Sequence, residues 1–171
     1  MARVLIVEGA SRGIRLAGAL VAEGHAVRVV SNDPERREAI DGAGAECFLG
    51  TPERLATLRG ALEHVAIACW LLADIGGDGN LARALHGPRL ERFLGDAIDS
   101  TLRGFLYEAG GKSVPAEVLA RGERIVSETG HLNSIPVAVL STDPLDCDEW
   151  LAQALGTIQS LLEGRQTGAL S

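Results

Sequence analysis

Long apolar runs are missing from this chain. Its most apolar stretch, residues 65–75, falls short of the roughly 20 residues a membrane-spanning helix needs. The opening apolar run, residues 2–7, is too short for a secretion signal and is expected to enter the fold. Basic clusters are also missing: the longest basic run is Arg36-Arg37 and the formal net charge is −7, which argues against a nucleic-acid or anionic-membrane surface. Only three cysteines occur, far apart and never as C-x-x-C. Cys47 and Cys69 lie in apolar stretches and read as buried free thiols. The four histidines are scattered without metal-ligand spacing, and His25 and His64 each precede a strand as surface residues. No G-x-S-x-G elbow, P-loop or internal repeat is found. These absences leave a cytoplasmic globular protein, read as a single domain over residues 1–171. Aromatics make up only 4% against 21 glycines, which suits an Ala/Leu/Val core with tight helix–strand connections.

What is present begins with residues 1–24. Residues 2–7 (A-R-V-L-I-V) read as a buried strand, residues 8–15 as a glycine-bearing turn, and residues 16–23 as a helix stopped by Gly24. Strand, glycine turn and helix in that order open a dinucleotide-binding domain. The glycines let the backbone approach a pyrophosphate, which the free N–H groups and positive end of the helix dipole then hold.

The alternation continues. Strands are expected at 25–30, 45–49, 65–72, 103–108 and 135–140. Helices are expected at 35–42, from Thr51-Pro52 to about 63, from Pro88 to about 101, at 115–129 with Gly130 as the stop, and at 146–162. Residues 76–80 form a loop, 81–85 a helical turn, 130–134 a polar turn, and the last few residues fray. Such alternation forces right-handed crossovers and a parallel sheet covered on both faces. The predicted fold class is therefore α/β: a doubly wound, six-stranded parallel sheet in three layers, Rossmann-like, with strand order 3-2-1-4-5-6. A ligand crevice is expected where residues 8–15, 31–33, 71–77 and 108–112 meet.

The turn Gly9-Ala10-Ser11-Arg12-Gly13-Ile14 resembles the T-G-A-S-R-G-I-G turn of the short-chain dehydrogenase/reductase superfamily. Ala22-Glu23-Gly24-His25-Ala26-Val27-Arg28, followed by Asn32-Asp33-Pro34, resembles the A-E-G-H-x-V-R…R-D-P of its extended and atypical branch. Residues 65–74 resemble that branch's V-D-A-V-F-H-L-A-A strand, and residues 122–139 the helix and sixth strand after its active-site lysine. The resemblance implies an NAD(P)-binding domain whose cofactor residues are Gly9, Ser11, Arg12, Gly13, Ile14, Asn32, Asp33 and Leu72. The cofactor is NADP or NAD, or none is bound. It also implies a dinucleotide or small-molecule partner and self-association through the helices at 88–101 and 115–129.

Departures from the family pattern are equally informative. Arg15 replaces the third turn glycine and either fills the phosphate pocket, paired with Glu8, or bridges the phosphate itself. Arg12 is either a base for the 2′-phosphate of NADP or a solvated surface residue. Asp33 either bonds a ribose hydroxyl or caps the following helix, and Leu49-Gly50-Thr51 lacks the family's adenine-contacting aspartate. The catalytic Y-x-x-x-K positions fall on Pro115 and Leu119, which cannot move a proton. Tyr107, the sole tyrosine, lies five residues before Lys112, the sole lysine, so the pair does not share a helix face. Tyr107 and Ser141 are the weak catalytic candidates. The expected function is a non-catalytic NAD(P)-binding relative, a weak sensor or interaction protein. The alternative is an NAD(P)H-dependent oxidoreductase or epimerase-like enzyme with non-standard residues.

Overall fold

The computed structural model describes residues 1–164; the expected fraying at the terminus lies outside them. Its elements run β1 (Arg3–Glu8), α1 (Ala10–Ala22), β2 (Ala26–Ser31), α2 (Pro34–Gly42), β3 (Glu46–Leu49), a 3₁₀ turn (Leu55–Leu58), β4 (Ile67–Leu71) and α3 (Gly79–Leu85). Then follow α4 (Pro88–Ile98), β5 (Gly104–Glu108), α5 (Ala116–Asn133), β6 (Val137–Leu140) and α6 (Cys147–Leu162). The strands form one sheet of order β3-β2-β1-β4-β5-β6, parallel at every pairing, as the alternation predicts.

Period-two alternation divides the core between the two faces of the sheet. Val4 and Ile6 of β1 point to the layer built with α1, α2 and α6, where Leu16, Ile40 and Trp150 are buried. Leu5 and Val7 point to the layer of α3, α4 and α5, with Leu85, Phe93 and Val126. All five residues of β4 are buried, so the continuous apolar run is a central strand covered on both sides. Cys69 lies there fully buried, whereas Cys47 is only half-buried and His25 is half-buried beneath the Ala2 N–H.

Three elements differ from expectation for physical reasons. Helix α1 starts at Ala10, so the turn contracts to Glu8 and Gly9 and residues 11–15 are helical. Glu8, Gly9 and Ala10 take φ of +66°, +91° and +49°, and this left-handed run reverses the chain within three residues. The helix expected over 51–63 is reduced to the short 3₁₀ turn. There the Thr57 hydroxyl accepts from the Thr51 N–H and bonds the Arg54 carbonyl, competing with helical pairing, and Gly60 turns left-handed at φ +81°. The buried guanidinium of Arg28 compensates by donating to the Gly60, Ala61 and Glu63 carbonyls. Gly130 does not stop α5, which runs on through the supposed polar turn to Asn133 and ends at left-handed Ser134. A Cβ at Gly130 would lie 2.5 Å from Val137, so this glycine serves close helix–strand contact.

Candidate functional site

The carboxyl ends of β1, β2 and β4 open onto a crevice of about 400 Å³. Gly9 and Ala10 form its floor at the start of α1, Asn32 and Asp33 its β2 side, Pro52 and Glu53 its outer rim, and Leu71 and Leu72 its β4 wall. The first glycine of the motif is thus in the crevice and the second is beneath it. A Cβ at Gly13 would sit 2.6 Å from the Glu8 carbonyl, so α1 crosses β1 at a distance only glycine permits.

Of the remaining sequence-predicted cofactor residues, Arg12 also borders the crevice, Ser11 is exposed on α1, and Ile14 lies against the core. Asp33 caps α2, accepting from the Glu35 N–H at 3.0 Å, and stands 3.7 Å from Arg36. Glu8 does not pair with Arg15. It stands 3.6 Å from Arg36, while Arg15 points to the opposite side and meets exposed Asp148 at 2.7 Å. Burial raises the Glu8 carboxyl above its ordinary range, against the pull of Arg36, with Glu53 adding to the rise. Four carboxylates (Glu8, Asp33, Glu53, Asp74) therefore border the crevice, against the guanidiniums of Arg12 and Arg36.

Arg12 is neither a surface residue nor free for a phosphate. Its Nε and Nη2 donate to both oxygens of Glu108, at 2.9 and 2.6 Å. Glu108, at the end of β5, is completely buried and also accepts from the Ala73 N–H at 3.0 Å and the Trp150 indole at 2.9 Å. Four donors saturate this carboxylate. Residues 108–112, expected to line the crevice, are instead fastened beneath and beside it. A Cβ at Gly110 would overlap the Thr142 carbonyl, one at Gly111 would touch Pro144 and the Ala73 carbonyl, and the Ser113 hydroxyl donates to Asp74 at 2.7 Å. The loops after β4, β5 and β6 thus close upon one another.

The catalytic candidates are not brought together. Tyr107 is fully buried on the α5 side of β5, its hydroxyl 2.6 Å from Nδ1 of buried His86. The other ring nitrogen of His86 faces the Leu72 carbonyl at 2.9 Å. A carbonyl only accepts, so Nε2 carries the proton and Nδ1 accepts from Tyr107. Burial lowers the His86 pKa and raises that of Tyr107, holding both neutral. Lys112 and Ser141 are exposed, Pro115 caps α5, and the Leu119 carbonyl faces the Tyr107 hydroxyl. Sequence reasoning missed His86 and Trp150 as polar anchors. The detectable signal was Glu108, a carboxylate closing an apolar strand.

No family model matches the chain, and no curated protein does. Solved structures do. Vestitone reductase from alfalfa superposes with a TM-score of 0.61 at 16% identity, over 82% of this chain and 56% of its own. UDP-glucuronic acid 4-epimerase from Bacillus cereus, in complex with a fluorinated UDP-sugar and NAD, gives 0.64 at 12%, over 81% and 55%. AtPrR2, with NADP+ and (+)pinoresinol, gives 0.58 at 20%, over 82% and 49%. The chain spans about half the length of these proteins. At such identities the likeness is one of fold, and it bears out the doubly wound α/β, Rossmann-like arrangement expected from the sequence.

A doubly wound sheet offers two mononucleotide-binding halves, and a dinucleotide lies across both. In this chain the half built on β1–β3 fits such a ligand: the Gly9 turn, the start of α1 and the Asp33 carboxylate surround open space. The half built on β4–β6 contributes only its β4 side to that space, through Asp74, Ile75, Gly76 and Leu81, because its β5 and β6 loops close on one another and Arg12 is clamped to Glu108 beneath their junction.

Proposed function

We propose that the chain is a nucleotide-binding relative of the short-chain dehydrogenases and epimerases that performs no hydride transfer and acts as a weak cofactor sensor or an interaction protein. The placement of Tyr107 carries this reading. The only tyrosine is sealed in the core and committed to His86, while the crevice at the β1–β4 switch point stays open. Pro115 and Leu119 supply neither proton donor nor amine. We read the protein as cytoplasmic, binding a nucleotide or small molecule and no nucleic acid. Self-association through α4 and α5 remains part of this reading.

Calorimetric titration with NADH and NADPH tests the proposal. Saturable binding is expected, abolished by Asn32→Trp, which fills the crevice from an exposed position, with no consumption of NAD(P)H over a panel of carbonyl compounds. Failure of every nucleotide to bind would refute it. Turnover would favour the second reading, an NAD(P)H-dependent oxidoreductase or epimerase-like enzyme. The exposed hydroxyl of Ser141, after β6, is the group that reading would employ.

A further inference from the structure

We infer that the crevice is a mononucleotide site: it takes a single ribonucleotide on the β1–β3 half and leaves the second half of any dinucleotide outside. This inference rests on the nucleotide-binding reading and narrows its ligand class.

The closure of the other half is built from positive contacts. Gly110 lies against Thr142 so tightly that no side chain fits, and Gly111 lies against Pro144 and the Ala73 carbonyl. The Asp74–Ser113 hydrogen bond ties the β4 loop to the β5 loop. Beneath them the Arg12–Glu108 pair, with the Trp150 indole, joins α1, β5 and α6 in one buried knot. Releasing Arg12 towards a ligand in that half would leave Glu108 buried without its partner, which is among the costliest changes a core can undergo.

Charge narrows the ligand further. With Arg12 held by Glu108, Arg36 is, among the described residues, the remaining guanidinium bordering the crevice, facing Glu8 and Asp33. Carboxylates accept hydrogen bonds from a ribose diol and oppose the extra charge of a nucleoside triphosphate, while the closed second half, not charge, is what bears against a dinucleotide. The N–H groups at the start of α1 then face one phosphate rather than several. A nucleoside monophosphate meets both requirements, and its size suits a space of about 400 Å³.

The test uses ¹⁵N-labelled protein titrated separately with AMP, GMP, UMP and NADH, following backbone amide shifts. At least one monophosphate should move the amides of Gly9, Asn32 and Gly76 and leave Gly110 and Gly111 in place. NADH should bind no more than about threefold tighter than the best monophosphate, with the same pattern of shifts. NADH binding more than about threefold tighter, or moving Gly110 and Gly111, overturns the inference while the nucleotide-binding function stands. If no ligand binds, both fall.

Discussion

Arg12 and Glu108, 96 residues apart, meet at the carboxyl ends of the strands in a two-pronged contact of 2.9 and 2.6 Å. An arginine in the first turn of α1 is thereby turned inward and held in the core. The pair also converts Glu108 from an isolated buried charge into an acceptor shared by three elements besides its own strand.

Removing one partner of this pair should therefore harm far more than removing both. Glu108→Leu is expected to cost about 3–5 kcal/mol, since it strands the Arg12 guanidinium. Arg12→Leu in the Glu108→Leu background should recover part of that loss, while the Ala73 N–H and Trp150 indole stay unpaired. A urea-denaturation double-mutant cycle measures this. Effects that simply add would show that the two side chains are not coupled.

Tyr107→Phe separates a structural tyrosine from a chemical one. It removes the donor facing His86 Nδ1 and should cost about 1–3 kcal/mol of stability, with nucleotide affinity unchanged in calorimetry. A large loss of affinity at preserved stability would contradict the core role assigned here.

His86 should make stability sensitive to mild acid. Its pKa lies below the ordinary 6.5 because burial disfavours the charged ring. The unfolded chain therefore binds the proton first as pH falls below 6.5, and stability declines from there towards the folded pKa, by at most about 1.4 kcal/mol per pH unit. Above 6.5 this contribution is flat. Urea midpoints of wild type and His86→Gln between pH 7.5 and 5 should show a shallower slope for the variant.

Glu8 combines two costs, a left-handed backbone and a half-buried carboxylate. Glu8→Gly should stabilise the fold by about 1 kcal/mol through the backbone alone. Glu8→Gln tests the charge. The folded pKa is raised, so the penalty on the native state grows as pH rises above the usual 4.5. The gain in thermal midpoint from Glu8→Gln should thus appear at pH 7 and vanish near pH 4, and AMP should bind more tightly to the variant.

Two helix glycines should respond to alanine with opposite signs. At Gly122 a Cβ would overlap the Tyr107 hydroxyl, and Gly122→Ala should lose about 1–3 kcal/mol. At Gly95, exposed on α4, a Cβ meets nothing within 4 Å, and Gly95→Ala should gain about 0.5–1 kcal/mol in the same denaturation assay.

Much of the fold was legible because its strands carry their own signal. Val65 to Leu72 is apolar at every position, which suits a strand buried on both faces. The glycine turn placed the crevice correctly at Gly9, and Asp33-Pro34 announced the start of α2. The segment after Thr51 was misleading because Leu55, Leu58 and Leu62 keep helical spacing, while the Thr57 hydrogen bonds and left-handed Gly60 break the helix. Gly130 misled in the other direction: a glycine chosen for contact with Val137 looks in sequence like one chosen to end a helix.

Local pattern alone, then, determined the alternation of strands and helices, their parallel order and the position of the glycine turn. Each depends on residues within one or two turns of one another, where period and punctuation are visible. Only the tertiary structure decided where the charged and polar side chains go. Arg12 reaches Glu108 rather than solvent, Arg15 reaches Asp148 rather than Glu8, and Tyr107 reaches His86 rather than a substrate. Those choices were set by which strand ends and helices the sheet order brings together, and by the high cost of leaving any buried polar group without a partner.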